Sequence, residues 1–181
     1  TGHDVLTVGD DQNADTGNNS VLGGAGNDNI TIWQDGNQTV DAGGDDDTVV
    51  VGGKGSGVNP ADYTNGNHNI ELGDGNDQLT VWGTSKTQNG VTTINAGSGN
   101  DYIYIEKDHV LRSNLGDGAD TLQMRARDLM SEDTIVGGNT GGYDTIKLSN
   151  VGGDLVNGLV RKSETTHTTQ IERYWLQNSG I

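Results

Sequence analysis

The chain has 181 residues and a formal net charge of −16, with 30 glycines, one proline, no cysteine and no phenylalanine. Such an acidic surface excludes ordinary nucleic-acid binding, which needs basic groups facing the phosphates. The lack of cysteine excludes a disulfide framework and thiolate metal sites. No apolar run approaches membrane-spanning length, so membrane insertion is not expected. Abundant glycine with almost no proline indicates a chain that turns often, rather than a disordered linker.

One acidic pattern recurs along the chain: an aspartate followed by apolar residues two and four places later. The pattern occurs seven times, at Asp4, Asp28, Asp47, Asp77, Asp101, Asp120 and Asp144. The apolar pairs are Leu6/Val8, Ile30/Ile32, Val49/Val51, Leu79/Val81, Ile103/Ile105, Leu122/Met124 and Ile146/Leu148. Because side chains alternate across a strand, both members of a pair lie on one face. Each of these anchor aspartates is therefore predicted to precede a short strand whose apolar face forms the core.

The spacing of the anchors predicts a stack of similar coils. Successive anchors are 24, 19, 30, 24, 19 and 24 residues apart, and a period near 20 residues is typical of repeat architectures. A second alternation precedes the turns, at Val40/Ala42, Ile70/Leu72, Ile94/Ala96 and Ser113/Leu115. Each coil is thus predicted to contribute two short strands joined by a turn. At the seventh turn Ile135 and Val136 do not align with this second alternation.

Glycine-rich turns precede every anchor except the first, and they are the candidate metal sites. They read GGAGND, AGGDDD, GDGND, GSGND, GDGAD and NTGGYD. Glycines let the backbone present several carbonyl oxygens to one space, and the closing aspartate adds a carboxylate. Calcium takes about six to eight such oxygen ligands. Coils about 4.8 Å apart would bring aspartates of neighbouring turns close enough to share an ion. The predicted ligand-bearing residues are Gly24, Gly26, Asp28, Gly43, Asp45, Asp47, Gly73, Gly75, Asp77, Gly97, Gly99, Asp101, Gly116, Gly118 and Asp120.

These turns resemble the glycine- and aspartate-containing nonapeptide of RTX (repeats-in-toxin) proteins. The resemblance covers about residues 2 to 148. It implies a right-handed parallel β-roll of about seven coils, from a secreted or surface protein of bacteria, with calcium held between coils. Only one turn per coil carries the motif, so calcium is expected along one edge, as in solenoids of some large bacterial surface adhesins. The implied function is an extracellular calcium-binding structural or adhesion module without catalysis.

Other interpretations of the same residues stay open. The aspartates could instead cap turns by accepting hydrogen bonds from backbone amides, as Asx turns do. Trp33, Trp82 and Tyr63 could stack on sugar rings, which would favour a carbohydrate-binding or polysaccharide-active module. Hydrolysis would need a carboxylate pair such as Asp45/Asp46. An ice-binding face would need a regular threonine array, but the outward positions are interrupted by aromatic, amide and basic residues at Tyr102, Tyr104, Gln123 and Lys147.

The remaining features concern catalysis and the chain ends. The four histidines, at positions 3, 68, 109 and 167, share no motif, so neither a zinc site nor a nucleophile with its base is predicted. The chain opens at Thr1 without methionine, which indicates a piece of a longer protein. The repeat ends near residue 150, and residues 151–181 are predicted to cap the open end of the solenoid through Val160, Ile171 and Trp175. A C-terminal secretion signal is the alternative for this segment.

Overall fold

The computed structural model describes residues 1–9, 17–33, 36–52, 66–82, 90–106, 110–125, 128–129, 132–138 and 142–149, and the backbone of residues 171–177. Every named element in this part of the chain is a β-strand. The strands are β1 (Val5–Val8), β2 (Asn19–Ala25), β3 (Asn29–Ile32), β4 (Gln38–Gly44), β5 (Thr48–Val51), β6 (His68–Asp74), β7 (Gln78–Trp82), β8 (Val91–Ser98), β9 (Tyr102–Glu106), β10 (Val110–Asn114), β11 (Thr121–Arg125), β12 (Thr134–Val136), β13 (Asp144–Ser149) and β14 (Ile171–Gln177).

The strands build two open sheets in which every pairing is parallel. Sheet 1 has the order β1-β3-β5-β7-β9-β11-β13-β14, and sheet 2 has the order β12-β10-β8-β6-β4-β2. From β1 to β13 the chain alternates between the sheets, so one coil consists of a sheet 2 strand, a glycine turn and a sheet 1 strand. This arrangement confirms the predicted all-β parallel solenoid. Six coils are complete, and β1 and β14 lie at the two ends of sheet 1.

The predicted apolar pairs form the core because the coils stack in register. The first members of the anchored pairs are register partners in every adjacent pair of sheet 1 strands from β1 to β13. Six of these pairs are at most 4% exposed, and together with the inward residues of sheet 2 they make one core cluster. Only Leu6 and Val8, at the end of the stack, are partly exposed. Stacked neighbours therefore bury the apolar face that a single coil would leave exposed.

The seventh turn differs from the expectation drawn from the sequence. Ile135 is a register partner of Ser113 and is buried, so it continues the inward column of sheet 2. The irregularity lies further along, because six residue steps separate Gly138 from Asp144, whereas four separate the equivalent Gly116 from Asp120. The prediction that Ile135 is out of alignment was wrong, since two extra residues are accommodated inside the turn.

The C-terminal strand β14 adds to sheet 1 as a further parallel strand. It pairs with β13, with a register irregularity between Asp144 and Thr145. In this register Trp175 is the partner of Lys147 and Ile171 is the partner of Asp144. The backbone of this strand thus covers the edge of β13. Val160 and Tyr63 lie outside the described residues.

Candidate metal centre

The anchor aspartates form a hydrogen-bonded column along one edge of the solenoid, here called the aspartate ladder. Every anchor after Asp4 accepts, through Oδ1, a hydrogen bond from the backbone N–H of the anchor in the preceding coil. Six such bonds, of 2.7 to 3.1 Å, connect Asp4, Asp28, Asp47, Asp77, Asp101, Asp120 and Asp144 in order. The ladder gives the recurring aspartates of sheet 1 a structural role: from Asp28 to Asp144 each side chain supplies the acceptor for an amide that the sheets leave unpaired.

The second carboxylate oxygen is where the ladder is incomplete. From Asp28 to Asp144 the ladder residues are 1 to 3% exposed. In five consecutive members the Oδ2 atom is buried and accepts no hydrogen bond from the described residues; these are Asp28, Asp47, Asp77, Asp101 and Asp120. Turn capping by the aspartates therefore accounts for Oδ1 and leaves Oδ2 without a role. A buried carboxylate oxygen without a partner is costly, and a proton, a cation or an ordered water relieves that cost.

Four of the ladder carboxylates are consequently hard to ionise. The pKa of Asp101 is raised to about 7, and those of Asp47 and Asp120 are raised to about 6. Burial is the largest cause in each case; the hydrogen bond from the neighbouring amide lowers the pKa in part, and charges on adjacent ladder members raise it again. Burial is also the largest cause of the raised pKa of Asp77; the hydrogen bond from the Asp47 amide lowers this pKa in part, and the charges of the turn acids Asp46 and Asp74 raise it again. Near neutral pH the column therefore carries negative charge that the described protein atoms do not compensate.

No basic side chain compensates this charge in the described part of the chain. The ion pairs found there join Arg125 to Glu106 and to Asp128, away from the ladder. Hydrogen bonds to the ladder come from backbone amides, which are neutral donors. The counter-charge therefore has to come from protons or from ions in solution.

The glycine turns bring successive coils into backbone contact. All nine predicted turn glycines have positive φ: Gly24, Gly26, Gly43, Gly73, Gly75, Gly97, Gly99, Gly116 and Gly118. At Gly99 a Cβ would lie 1.6 Å from the Gly75 carbonyl oxygen, so a side chain cannot fit there. Asp45 takes the glycine position in its own turn with φ 76°, and it is the one non-glycine residue with positive φ among the described residues. The Asp45 backbone therefore has a conformation that residues other than glycine rarely adopt.

In the turn before Asp28 the backbone lies close to the carboxylate. Gly23 has no side chain, and a Cβ at this position would lie 2.7 Å from Asp28 Oδ2. The equivalent positions in the next four coils carry side chains, at Ala42, Leu72, Ala96 and Leu115. A Cβ at position 23 would also lie 2.3 Å from the Ala42 carbonyl oxygen, so this position is too crowded for a side chain.

Exposed polar groups on the turns form a second set of contacts between coils. Asn76 donates to Asp46 Oδ1 from its backbone N–H at 2.7 Å and from its side-chain amide at 3.1 Å. These two hydrogen bonds lower the pKa of Asp46. The Ser98 hydroxyl donates to Asp74 Oδ1 at 2.6 Å. Asp45 Oδ2 accepts the Gly26 N–H at 3.1 Å. The turn acids outside the ladder are therefore solvent-accessible and hydrogen-bonded to neighbouring coils.

The two ends of the ladder differ from its middle. Asp4 donates its N–H to Asp28, and its side chain is exposed, as expected for a coil at the end of the stack. Asp144 is buried but both of its oxygens have partners, because Oδ2 accepts the Gly138 N–H at 3.3 Å. Neither residue was among the predicted ligands, and neither has a buried oxygen without a partner.

Side chains alone do not form a metal centre in the described ranges. No group of three or more histidine, cysteine, aspartate or glutamate side chains there is arranged to hold a metal ion. Neighbouring ladder carboxylates are connected through the N–H···Oδ1 bonds of the ladder. A cation at this edge would need Oδ2 together with main-chain carbonyls of the turns. The donor chemistry fits calcium, since every available ligand atom is a hard oxygen.

A second polar column on the opposite edge was not anticipated from the sequence. Asn18 and Asn37 each accept through Oδ1 the N–H of the equivalent residue in the following coil, and Asn67 accepts the Val91 N–H, at 2.8 to 2.9 Å. The signal was present, because an asparagine directly precedes each of the strands β2, β4 and β6. This column uses neutral amides, which explains how it avoids the charge accumulation of the aspartate ladder.

Comparison with known proteins adds no family to these observations. No protein-family model matches the chain, and no curated protein or solved structure matches it. Within the described residues there is no helix long and apolar enough to cross a membrane.

Proposed function

We propose that this chain is a calcium-stabilised β-solenoid of RTX type that serves as a structural or adhesion module of an extracellular bacterial protein. The single observation that carries the metal part of the proposal is the column of five buried Oδ2 atoms without partners. The glycine turns and the repeated sequence motif support the RTX assignment. The adhesive, extracellular role follows from the resemblance of the one-sided repeat to surface adhesin solenoids.

The energetic argument for a cation rests on the charge of the ladder. An ionised carboxylate that is buried without a counter-charge destabilises the folded chain. Leaving one buried charge unpaired costs more free energy than removing both the charge and its counter-charge. With pKa values of about 6 to 7, protons neutralise Asp47, Asp101 and Asp120 only in part near pH 7. A divalent ion can neutralise two neighbouring carboxylates at once. Binding to the folded chain then stabilises it in proportion to the logarithm of the free ion concentration.

The ladder aspartates and the turn backbone would hold the ion. Oδ2 of Asp28, Asp47, Asp77, Asp101 and Asp120 would supply the charged ligands, and the positive-φ turns would supply carbonyl oxygens. The bound ion supplies counter-charge and a connection between adjacent coils. Magnesium is a poorer match, because it demands near-octahedral geometry and retains its water ligands.

Calorimetric titration with calcium and magnesium tests the proposal, with thermal melting in chelator and in millimolar calcium. We expect heat of binding with calcium, a higher melting temperature in calcium, and a smaller effect of magnesium. Anomalous diffraction from a terbium-soaked crystal should place the ions along the ladder edge. The matched control for a ladder substitution such as Asp101→Asn is Asp133→Asn. Asp133 is also buried and accepts a backbone N–H, from Leu111 at 2.7 Å, but it lies outside the glycine turns. A melting temperature indifferent to chelator and calcium would refute the metal role.

A further inference from the structure

The outer face of sheet 1 carries a group of aromatic side chains in the middle of the solenoid. We call Trp82, Tyr102 and Tyr104 the aromatic face. Tyr102 and Tyr104 alternate with the buried Ile103 and Ile105 of β9, so both lie on the outward side of the sheet. Their register partners on β7 are Gln78 and Thr80, and those on β11 are Thr121 and Gln123. Polar positions therefore flank the rings on both sides.

The rings of the aromatic face are held in place by specific contacts. Trp82 and Tyr104 pack edge to face, with centroids 5.6 Å apart and an interplanar angle of 67°. The Tyr102 hydroxyl donates to Gln123 Oε1 at 2.9 Å, and the Tyr104 hydroxyl donates to Glu106 Oε2 at 3.3 Å. Stacking of a ligand on these rings would therefore cost little side-chain entropy, because the rings have already lost much of their freedom in the folded protein.

This face stays accessible although its rings are ordered. Tyr102 is 38% exposed, and it is one of the few large apolar or aromatic side chains exposed in the described part of the chain. The Lys147 ammonium lies over the Tyr102 ring, 6.0 Å from its centroid, so a sugar ring that stacks on this face would move the flexible lysine side chain aside. A ligand on Tyr102 would thus have the ammonium of Lys147 and the amide of Gln123 as neighbouring hydrogen-bonding groups.

The charges around the aromatic face are balanced, in contrast to the rest of the molecule. Arg125 forms ion pairs with Glu106 and Asp128, and Lys147 supplies one more positive group. Two cations and two carboxylates therefore surround the rings in a chain whose net charge is −16. A strongly anionic polymer would be repelled by the whole chain, and a cationic one would be drawn to the acidic turns instead. A neutral ligand is the one that this face matches best.

We propose that the aromatic face binds a neutral polysaccharide, with pyranose rings stacked on Tyr102 and with hydroxyl groups bonded to Gln123 and Lys147. The C–H face of a pyranose is apolar and flat enough to cover an aromatic ring, and its hydroxyls point sideways toward polar neighbours. Gln123 and Lys147 are register partners on β11 and β13, so these two flanking groups stand side by side on strands about 4.8 Å apart. This interaction is independent of the calcium proposal, because none of these residues belongs to the glycine turns.

Calorimetry with neutral hexasaccharides of glucose and of mannose tests the inference on the full chain in millimolar calcium. We expect binding of at least one neutral hexasaccharide, weakened about tenfold or more by Tyr102→Ala, since ring stacking is lost. Tyr102→Phe keeps the ring and should bind more tightly than Tyr102→Ala. The matched control is Tyr143→Ala, because Tyr143 is 58% exposed but lies on the seventh turn. All variants should melt within a few degrees of the wild type.

Three outcomes would overturn the proposal. The first is the absence of binding to both neutral hexasaccharides in calcium-loaded protein whose melting is normal. The second is equal affinity of the wild type and Tyr102→Ala. The third is tighter binding of an oligogalacturonate hexamer, which would assign the face to an anionic ligand. If calcium has no effect on stability but neutral sugar binding depends on Tyr102, only the calcium proposal fails.

Discussion

Substitution of Asp101 by asparagine and by alanine separates the two roles of a ladder carboxylate. Oδ1 of Asp101 accepts the Asp77 N–H at 2.9 Å, whereas Oδ2 is buried without a partner. Asparagine keeps an acceptor oxygen and removes the charge, but alanine removes both. A buried N–H without an acceptor costs about 1–3 kcal/mol. In a domain of this size about 1 kcal/mol changes the melting temperature by about 2–4 °C.

In chelator we therefore expect Asp101→Ala to melt about 2–12 °C below the wild type. Asp101→Asn should melt at or above the wild type, because it keeps the ladder bond and removes a buried charge. In calcium both variants should gain less than the wild type, since both lack the charged Oδ2. Asp4→Ala is the matched control, because Asp4 contributes its backbone N–H to the ladder and its carboxylate is exposed.

Circular-dichroism melting of the four proteins across a calcium series provides the measurement. Equal destabilisation by asparagine and alanine in chelator would refute the role of the Oδ1 hydrogen bond. An undiminished calcium response in Asp101→Asn would refute Oδ2 of Asp101 as a calcium ligand. Equal calcium sensitivity at Asp4 and Asp101 would mean that the stack is not organised as described.

Three further predictions test the core, the turns and the pH dependence. Ile103→Ala should lower the free energy of unfolding by about 2–5 kcal/mol even in saturating calcium, since Ile103 is fully buried. Val5→Ala, at an 80% exposed position, should change it by less than about 0.5 kcal/mol. Denaturant titrations measure both. Gly99→Ala should abolish folding or lower the melting temperature strongly, because its Cβ would meet the Gly75 carbonyl; Gly44→Ala, with no atom within 4 Å of its Cβ, should melt like the wild type. In chelator the melting temperature should fall as pH rises from about 4 through 7, because ladder carboxylates whose pKa is raised to about 6 or 7 bind more protons in the folded chain than in the unfolded one. Calcium should reduce this fall. A melting temperature that rises with pH in chelator would contradict the raised pKa values of the ladder.

Much of the solenoid follows from local sequence pattern. Alternation after each anchor identified the inward residues of sheet 1, and the weaker alternation before the turns identified those of sheet 2. The unusual backbone conformation of Asp45 could also be predicted, because its position in the turn is a glycine in the turns before Asp28, Asp77, Asp101 and Asp120. These features depend on which face a residue occupies within its own strand or turn, and spacing along the chain determines that directly.

The contacts between coils were decided by the tertiary structure. The sequence indicated that the anchor aspartates lie together on one edge, but not that Oδ1 bonds the backbone of the preceding coil and leaves Oδ2 buried. Likewise, the register of Ile135 and the pairing of β14 with β13 depend on how inserted residues are accommodated. Such contacts join residues 19 to 30 positions apart, and their geometry is set by the stacking of coils. Local periodicity determines which residues point inward, whereas the neighbour that each side chain reaches is determined only when the coils are assembled.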